Sequence, residues 1–122
     1  MKFLTIDDSK LMRSMLKTIV ARTVGEHEMF EAADGKAGFE ILESHHDIRI
    51  IFVDWNMPIM NGSEFVKLTR ANPEFNKVVI IMVTTESDKD RIVEMAKMGV
   101  NGYIVKPFAH ETVEMAIRKY IE

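Results

Sequence analysis

No cysteine occurs in the 122 residues, and that absence removes disulfide frameworks, thiolate zinc sites and cysteine nucleophiles together. Nor is there an uninterrupted run of the ~20 apolar residues that span a bilayer. The opening stretch "MKFLTIDDSK" reaches acids too soon for the apolar core of a signal peptide, so a cytoplasmic setting is expected. Charge of either sign is nearly balanced: 16 basic against 19 acidic side chains give a net −3. No general basic field therefore points to nucleic acid or to an anionic membrane. Internal repeats, low-complexity segments and linkers are absent too.

What remains is the composition of a globular domain, 47% apolar and 29% charged. A chain of this length reads as one domain spanning 1–122, and it buries roughly two-thirds of its unfolded surface without needing a staple. Ten methionines stand out. Several fall at core-like helical spacing, where methionine is a flexible filler; the other reading is adaptable contact surface.

Two kinds of segment alternate along the chain. Short apolar, β-branched runs occur at Phe3–Ile6, Ile50–Val53, Val78–Val83 and Tyr103–Val105, with a more polar member at Glu28–Glu31 that suits a sheet edge. Their continuous hydrophobicity fits strands covered on both faces. Between them, three- and four-residue spacing predicts helices. Leu11, Met12, Met15, Leu16, Ile19 and Val20 form the first stripe behind a Ser9 N-cap. Ala37–Leu42 forms the second, and Phe65–Leu68 the third after an Asn61–Gly62 turn. Ile92, Met95 and Ala96 follow "ESDKD", where Ser87 would cap and Asp88 and Asp90 suit the positive helix end. Val113, Ala116, Ile117, Tyr120 and Ile121 make the last, whose start is poorly marked because Ala109 is a weak cap. Five β–α units in succession predict an α/β fold with a parallel, doubly wound sheet and right-handed crossovers. The final helix leaves no length for a second domain, so no output domain is expected.

In such sheets ligands bind beyond the carboxyl ends of the strands. Asp7 and Asp8 follow the first strand, Asp54 ends the third in "IFVDWNMP", Thr84 and Thr85 follow the fourth, and Lys106–Pro107 follows the fifth. Singly each has a bland reading: a turn pair, a strand terminator, a solvated lysine. Together they gather three carboxylates, hydroxyls and an ammonium on one edge. Crowded carboxylates raise one another's pKa unless a cation holds them, and an oxygen-only set suits Mg²⁺. The constellation suits a phosphoryl group on, or passing to, Asp54.

"IDDS", "VDWNMPIMNG", "VTTE" and "GYIVKPF" occur in that order. The ordered set closely resembles the response-regulator receiver domain of two-component signalling, most of all the stand-alone, CheY-like chemotaxis type. The resemblance covers essentially the whole chain. It implies a flavodoxin-like strand order 2-1-3-4-5 with five helices. It also implies that Asp54 accepts phosphate from a histidine kinase, with Mg²⁺ as cofactor. Asp8 would be a direct ligand, Asp7 would act through water, and the Asn56 backbone carbonyl would complete the metal site. Lys106 would contact the phosphoryl group, next to a Pro107 whose peptide bond is often cis in the family. Thr84 would be the switch hydroxyl and Tyr103 the aromatic that follows it inward. Asn56 and Glu86 would tune how fast water removes the phosphate.

Output would run through protein contact on the face of the fourth helix, fifth strand and fifth helix, with Lys89, Val93, Lys97, Met98, Tyr103, Lys119 and Tyr120 as candidates. A flagellar motor switch protein is the expected target, with a monomeric chain and no nucleic acid or membrane partner. Met98 before Gly99 departs from the smaller residue common there. His27, His45, His46 and His110 read as surface residues. A phosphorelay intermediate and a receiver cut from a larger regulator remain alternatives within this class. A different class is an aspartyl-phosphate phosphatase or phosphotransferase, which needs a second acid where Asn56 stands. A third reading is a receiver-like binding domain that is never phosphorylated, against which the full acid–Thr–Lys set argues.

Overall fold

The computed structural model describes residues 1–85 and 88–121. Strands β1 (Lys2–Ile6), β2 (Glu28–Ala32), β3 (Ile48–Val53), β4 (Val79–Thr84) and β5 (Gly102–Val105) alternate with helices α1 (Lys10–Thr23), α2 (Gly35–Ser44), α3 (Gly62–Ala71), α4 (Lys89–Lys97) and α5 (His110–Ile121). A 3₁₀ turn, Pro73–Phe75, was not anticipated. All strand pairs are parallel, in the order β2-β1-β3-β4-β5, so the expected strand order holds and the polar "EMFE" run lies at an edge.

Period-two alternation on the inner strands supplies both cores. Phe3, Ile50, Phe52, Ile81, Val83 and Ile104 point to a layer closed by Leu16, Ile19 and Val20 of α1 and Val113 and Ile117 of α5. Leu4, Ile6, Ile51, Val53, Ile80 and Met82 face the other way, onto Leu42 of α2, Phe65 and Val66 of α3, and Met95 of α4. Residues Ile50–Val53 are completely buried, so the backbone that delivers Asp54 is clamped between two packed layers. The first helical stripe is narrower than its spacing suggested, because Leu11 and Met15 face solvent. Methionine divides the same way, with Met82 and Met95 in the core and Met15 and Met115 exposed.

Helix starts follow side-chain capping. Ser9 accepts from Met12 N–H and Asp34 from Ala37 N–H. Asn61 and Glu64 form a reciprocal capping box, so the "NG" pair is a helix start rather than a free-standing turn. Asp88 caps α4, a role the sequence reading gave to Ser87, which lies outside the described residues. α5 begins at His110, with the Ala109 carbonyl accepting from Thr112 N–H at 3.1 Å. At the amino ends of β4 and β5, Arg70 donates to the carbonyls of Gly99 (3.0 Å), Phe75 (2.8 Å) and Val78 (2.8 Å) and to Asn101 Oδ1 (2.9 Å). Tyr120 adds a 2.7 Å bond from its hydroxyl to the Asn101 carbonyl. The histidines are less superficial than expected: His45 stacks on Phe30 at 4.2 Å and His27 meets the edge of Phe3.

Candidate functional site

Strand order reverses between β1 and β3, and this is where the acids meet. Asp7 N–H donates to Ala32 O and Asp54 N–H to Ile6 O, both at 3.0 Å, which continues the ladders one residue past the strands. Both carboxylates therefore leave the sheet from fixed backbone. Asp7 and Asp54 are buried whereas Asp8 is exposed, and one oxygen from each of the three lies within 4.8 Å of the others.

Lys106 reaches this cluster from the end of β5. Its ammonium donates to Asp7 Oδ2 at 2.7 Å and to Asp54 Oδ2 at 3.3 Å. Its own N–H bonds to the Thr84 carbonyl at 2.8 Å, which keeps the lysine in register with the fully buried Thr84. The Lys106–Pro107 peptide is cis.

Burial pushes the Asp54 carboxyl above its ordinary range, helped by the Asp7 charge; Lys106 and the Asn56 backbone N–H oppose this without cancelling it. Burial pushes the Lys106 ammonium down, but hydrogen bonding to Asp7 and the charges of Asp54 and Asp7 leave it raised. Lys106 is therefore charged throughout the physiological range. Three acids against one ammonium leave a formal −2 (−3 + 1) in a partly buried pocket. Such a pocket attracts a cation, and its oxygen-only donors fit a hard divalent ion. Both Asp7 oxygens are engaged, Oδ1 by Ser9 N–H at 2.9 Å and Oδ2 by Lys106, whereas Asp8 opens to solvent. That asymmetry suits direct ligation by Asp8 and water-mediated ligation by Asp7.

Several predicted residues lie around this centre rather than in it. Asn56 is exposed beside Asp54. Glu86 lies outside the described residues. Tyr103 stands on β5 and is 45% exposed, turned outward rather than inward. Lys89, Val93, Lys97 and Lys119 are exposed, whereas Met98 is half turned into the α3–α4 core, where it takes a 4.0 Å contact from the Ser63 hydroxyl.

The loop between Asp54 and α3 carries a strained residue. Ile59 has φ +67° and is 76% exposed, and Met60 N–H reaches back to Pro58 O at 2.7 Å. That bond closes a γ-turn around a β-branched residue, a conformation disfavoured by roughly 1–2 kcal/mol. Ile59→Asn is expected to stabilise the fold by about 1 kcal/mol, or to raise the melting temperature by about 4 °C. An unchanged or lower melting temperature would show that the turn relaxes at no cost.

The chain matches the response regulator receiver domain family over residues 3–118. It is a receiver domain of that family. The receiver is 41% identical over 114 residues to a chemotaxis protein CheY homolog of Campylobacter jejuni, covering 93% of this chain and 87% of that protein. It is also 41% identical to chemotaxis protein CheY1 of Helicobacter pylori strain J99, covering 93% and 91%. Among solved structures it superposes on the chemotaxis response regulator CheY4 of Vibrio cholerae with a TM-score of 0.89 at 32% identity, covering 98% of each chain. The receiver thus has the CheY-like, flavodoxin-type fold, and its family is a signalling domain rather than a classical enzyme. No described helix is long and apolar enough to cross a membrane.

Sequence reasoning missed three contributors. Arg13 of α1 donates to the Asp7 carbonyl at 2.6 Å. Arg91 of α4 lies 4.8 Å over the ring of Trp55, the residue after Asp54. Gly62 brings the start of α3 against the Asp54 backbone. Only the last left a readable signal, in the Asn61-x-x-Glu64 box that fixes the start of α3.

Proposed function

We propose that the receiver accepts a phosphoryl group from a histidine kinase on Asp54, with Mg²⁺, and relays its phosphorylation state by altering a protein-binding face. The observation that carries this reading is the convergence of Asp7, Asp8, Asp54 and Lys106 at the β1/β3 switch point, with Thr84 at the end of the neighbouring strand.

The Asp54 carboxylate oxygen attacks phosphorus, an O–P bond forms, and the P–N bond to the donor imidazole breaks. The leaving imidazole regains its neutral form by taking up a proton from solvent. Lys106, already bridging Asp7 and Asp54, exchanges part of that contact for a phosphoryl oxygen. Asp7, Asp8, Asp54 and the Asn56 carbonyl are the groups that would hold Mg²⁺. When bound, the ion neutralises charge on the phosphoryl oxygens and fixes their direction. Water attack on phosphorus returns the carboxylate and inorganic phosphate, past exposed Asn56 and at a rate that Asn56 and Glu86 tune.

Phosphorylation adds acceptor oxygens beside Thr84 and Lys106, which biases the loops after β4 and β5. Tyr103 then exchanges its exposed position for an inward one. The altered face comprises Lys89, Val93, Lys97, Met98, Tyr103 and Lys119. Val93, Lys97 and Met98 also line a cleft of about 530 Å³ against Lys67 of α3. The chemotaxis names of its relatives favour a motor-control target, with a flagellar switch protein as the partner read by this face.

The test is incubation with Mg²⁺ and unlabelled acetyl phosphate, followed by reduction with tritiated borohydride and peptide mapping. Label on Asp54, recovered as homoserine at position 54, is the expected result. Absence of label, or label on another acid, overturns the assignment.

A further inference from the structure

The β1–α1 loop that carries Asp7 and Asp8 is gripped from outside the acid cluster. Arg13, one turn into α1, sends Nη1 to the Asp7 carbonyl at 2.6 Å and Nε to Glu31 Oε1 of β2 at 3.1 Å. Glu31 is held in turn by Lys17 at 3.1 Å, one further turn along α1. The Arg13 side chain is only 16% exposed, so the guanidinium is packed into this position.

The contact falls on a consequential atom. The Asp7 carbonyl belongs to the peptide plane that leads into Asp8, and that plane is rigid. Asp7 N–H is bonded to Ala32, Oδ1 to Ser9 N–H and Oδ2 to Lys106. With Arg13 on its carbonyl, every polar group of Asp7 is fixed. Asp8 is exposed, and its backbone starts from this fixed peptide plane.

We infer that Arg13 is a positioning residue for a divalent cation: by clamping the Asp7–Asp8 peptide between α1 and β2 it aims the Asp8 carboxylate at the pocket. The inference rests on the divalent-cation reading of the acid cluster. It makes a prediction opposite in sign to simple electrostatics. Arg13 is itself positive and close to the site, so a purely through-space effect has its removal tightening cation binding. A clamp has its removal loosening it, as loss of a group that orients a ligand does.

The experiment is a Mg²⁺ titration of the full chain, followed by calorimetry and by emission of Trp55, the chain's single tryptophan, with thermal melts alongside. Arg13→Met is expected to weaken Mg²⁺ about tenfold. Arg13→Lys keeps the charge but replaces the two-point fork with one ammonium, and is expected to weaken it about threefold. The lysine variant decides the matter should the methionine variant not fold. Equal or tighter Mg²⁺ binding by these variants, with only the melting temperature lowered, overturns the clamp and leaves Arg13 a structural residue. A parent chain that binds no Mg²⁺ overturns the cation reading itself, and the clamp with it.

Discussion

Asp54→Asn is expected to give a protein that takes up no phosphoryl group yet melts above the parent at neutral pH. The first half follows because an amide has no carboxylate oxygen to attack phosphorus. The second follows from the position of the carboxylate. The Asp54 side chain is 11% exposed, and burial together with the Asp7 charge raises its pKa despite Lys106. A carboxyl whose pKa is higher folded than unfolded binds more protons in the folded state. Stability therefore falls as pH rises from the unfolded value, about 3.9, through the raised folded value, and the whole penalty is present above that. Asparagine carries no such penalty, and Lys106 keeps its 2.7 Å bond to Asp7. The variant should gain about 1 kcal/mol at pH 7, or about 4 °C, and the gain should vanish below pH ~4. Mg²⁺ should narrow the difference by stabilising the parent more than the variant. Melts across pH without Mg²⁺ check this. A parent that melts as high as the variant throughout would mean that the Asp54–Lys106 pair outweighs burial.

Gly62→Ala should do the opposite, damaging both the fold and the site. A Cβ at Gly62 would stand 2.3 Å from the Asp54 carbonyl oxygen and 2.9 Å from Trp55 Cα, both backbone atoms with no rotamer to give way. Gly62 N–H also bonds Trp55 O at 2.9 Å, so the helix start cannot withdraw without losing it. The cost is expected to be about 3 kcal/mol, a large part of the stability of a domain this size. Mg²⁺ binding and phosphoryl uptake should weaken even where the variant is folded, because Asp54 moves with its backbone. Gly25→Ala is the control, since nothing lies within 4 Å of its Cβ position. Urea midpoints separate the two, and matching midpoints would show that α3 shifts freely.

The strands were legible because burial on both faces makes them continuously apolar, and because a parallel sheet leaves few ways to arrange five of them. The same regularity made the acid cluster legible. Lys106 and Asp7 stand 99 residues apart, yet both follow strands and so must share one edge. The contacts between helix and loop were not legible. Nothing periodic distinguishes Arg13 from any solvated arginine on α1; its role depends on a side chain long enough to reach the Asp7 carbonyl. The Asn61-x-x-Glu64 spacing places the start of α3, but how close Gly62 then comes to the Asp54 backbone is a distance that no spacing rule encodes. Capping was legible in kind but not always in place: Ser9 was found, Asp34 was missed, and Asp88 was passed over for its neighbour.

The two ends of α4 are held very differently. Its carboxyl end runs into Gly99, whose carbonyl belongs to the Arg70 network with Phe75, Val78 and Asn101. Near its amino end, among the described residues, a guanidinium lies on the Trp55 ring. Were the helix to tilt, it would pivot as a lever with its fulcrum at the pole away from the acids. Nine residues make an arm of about 13 Å, so a tilt of roughly ten degrees moves the free end about 2 Å and the pinned end hardly at all. A partner gripping the first turn of α4 would meet the full stroke of such a tilt, while one gripping the last turn would meet a surface that stays still.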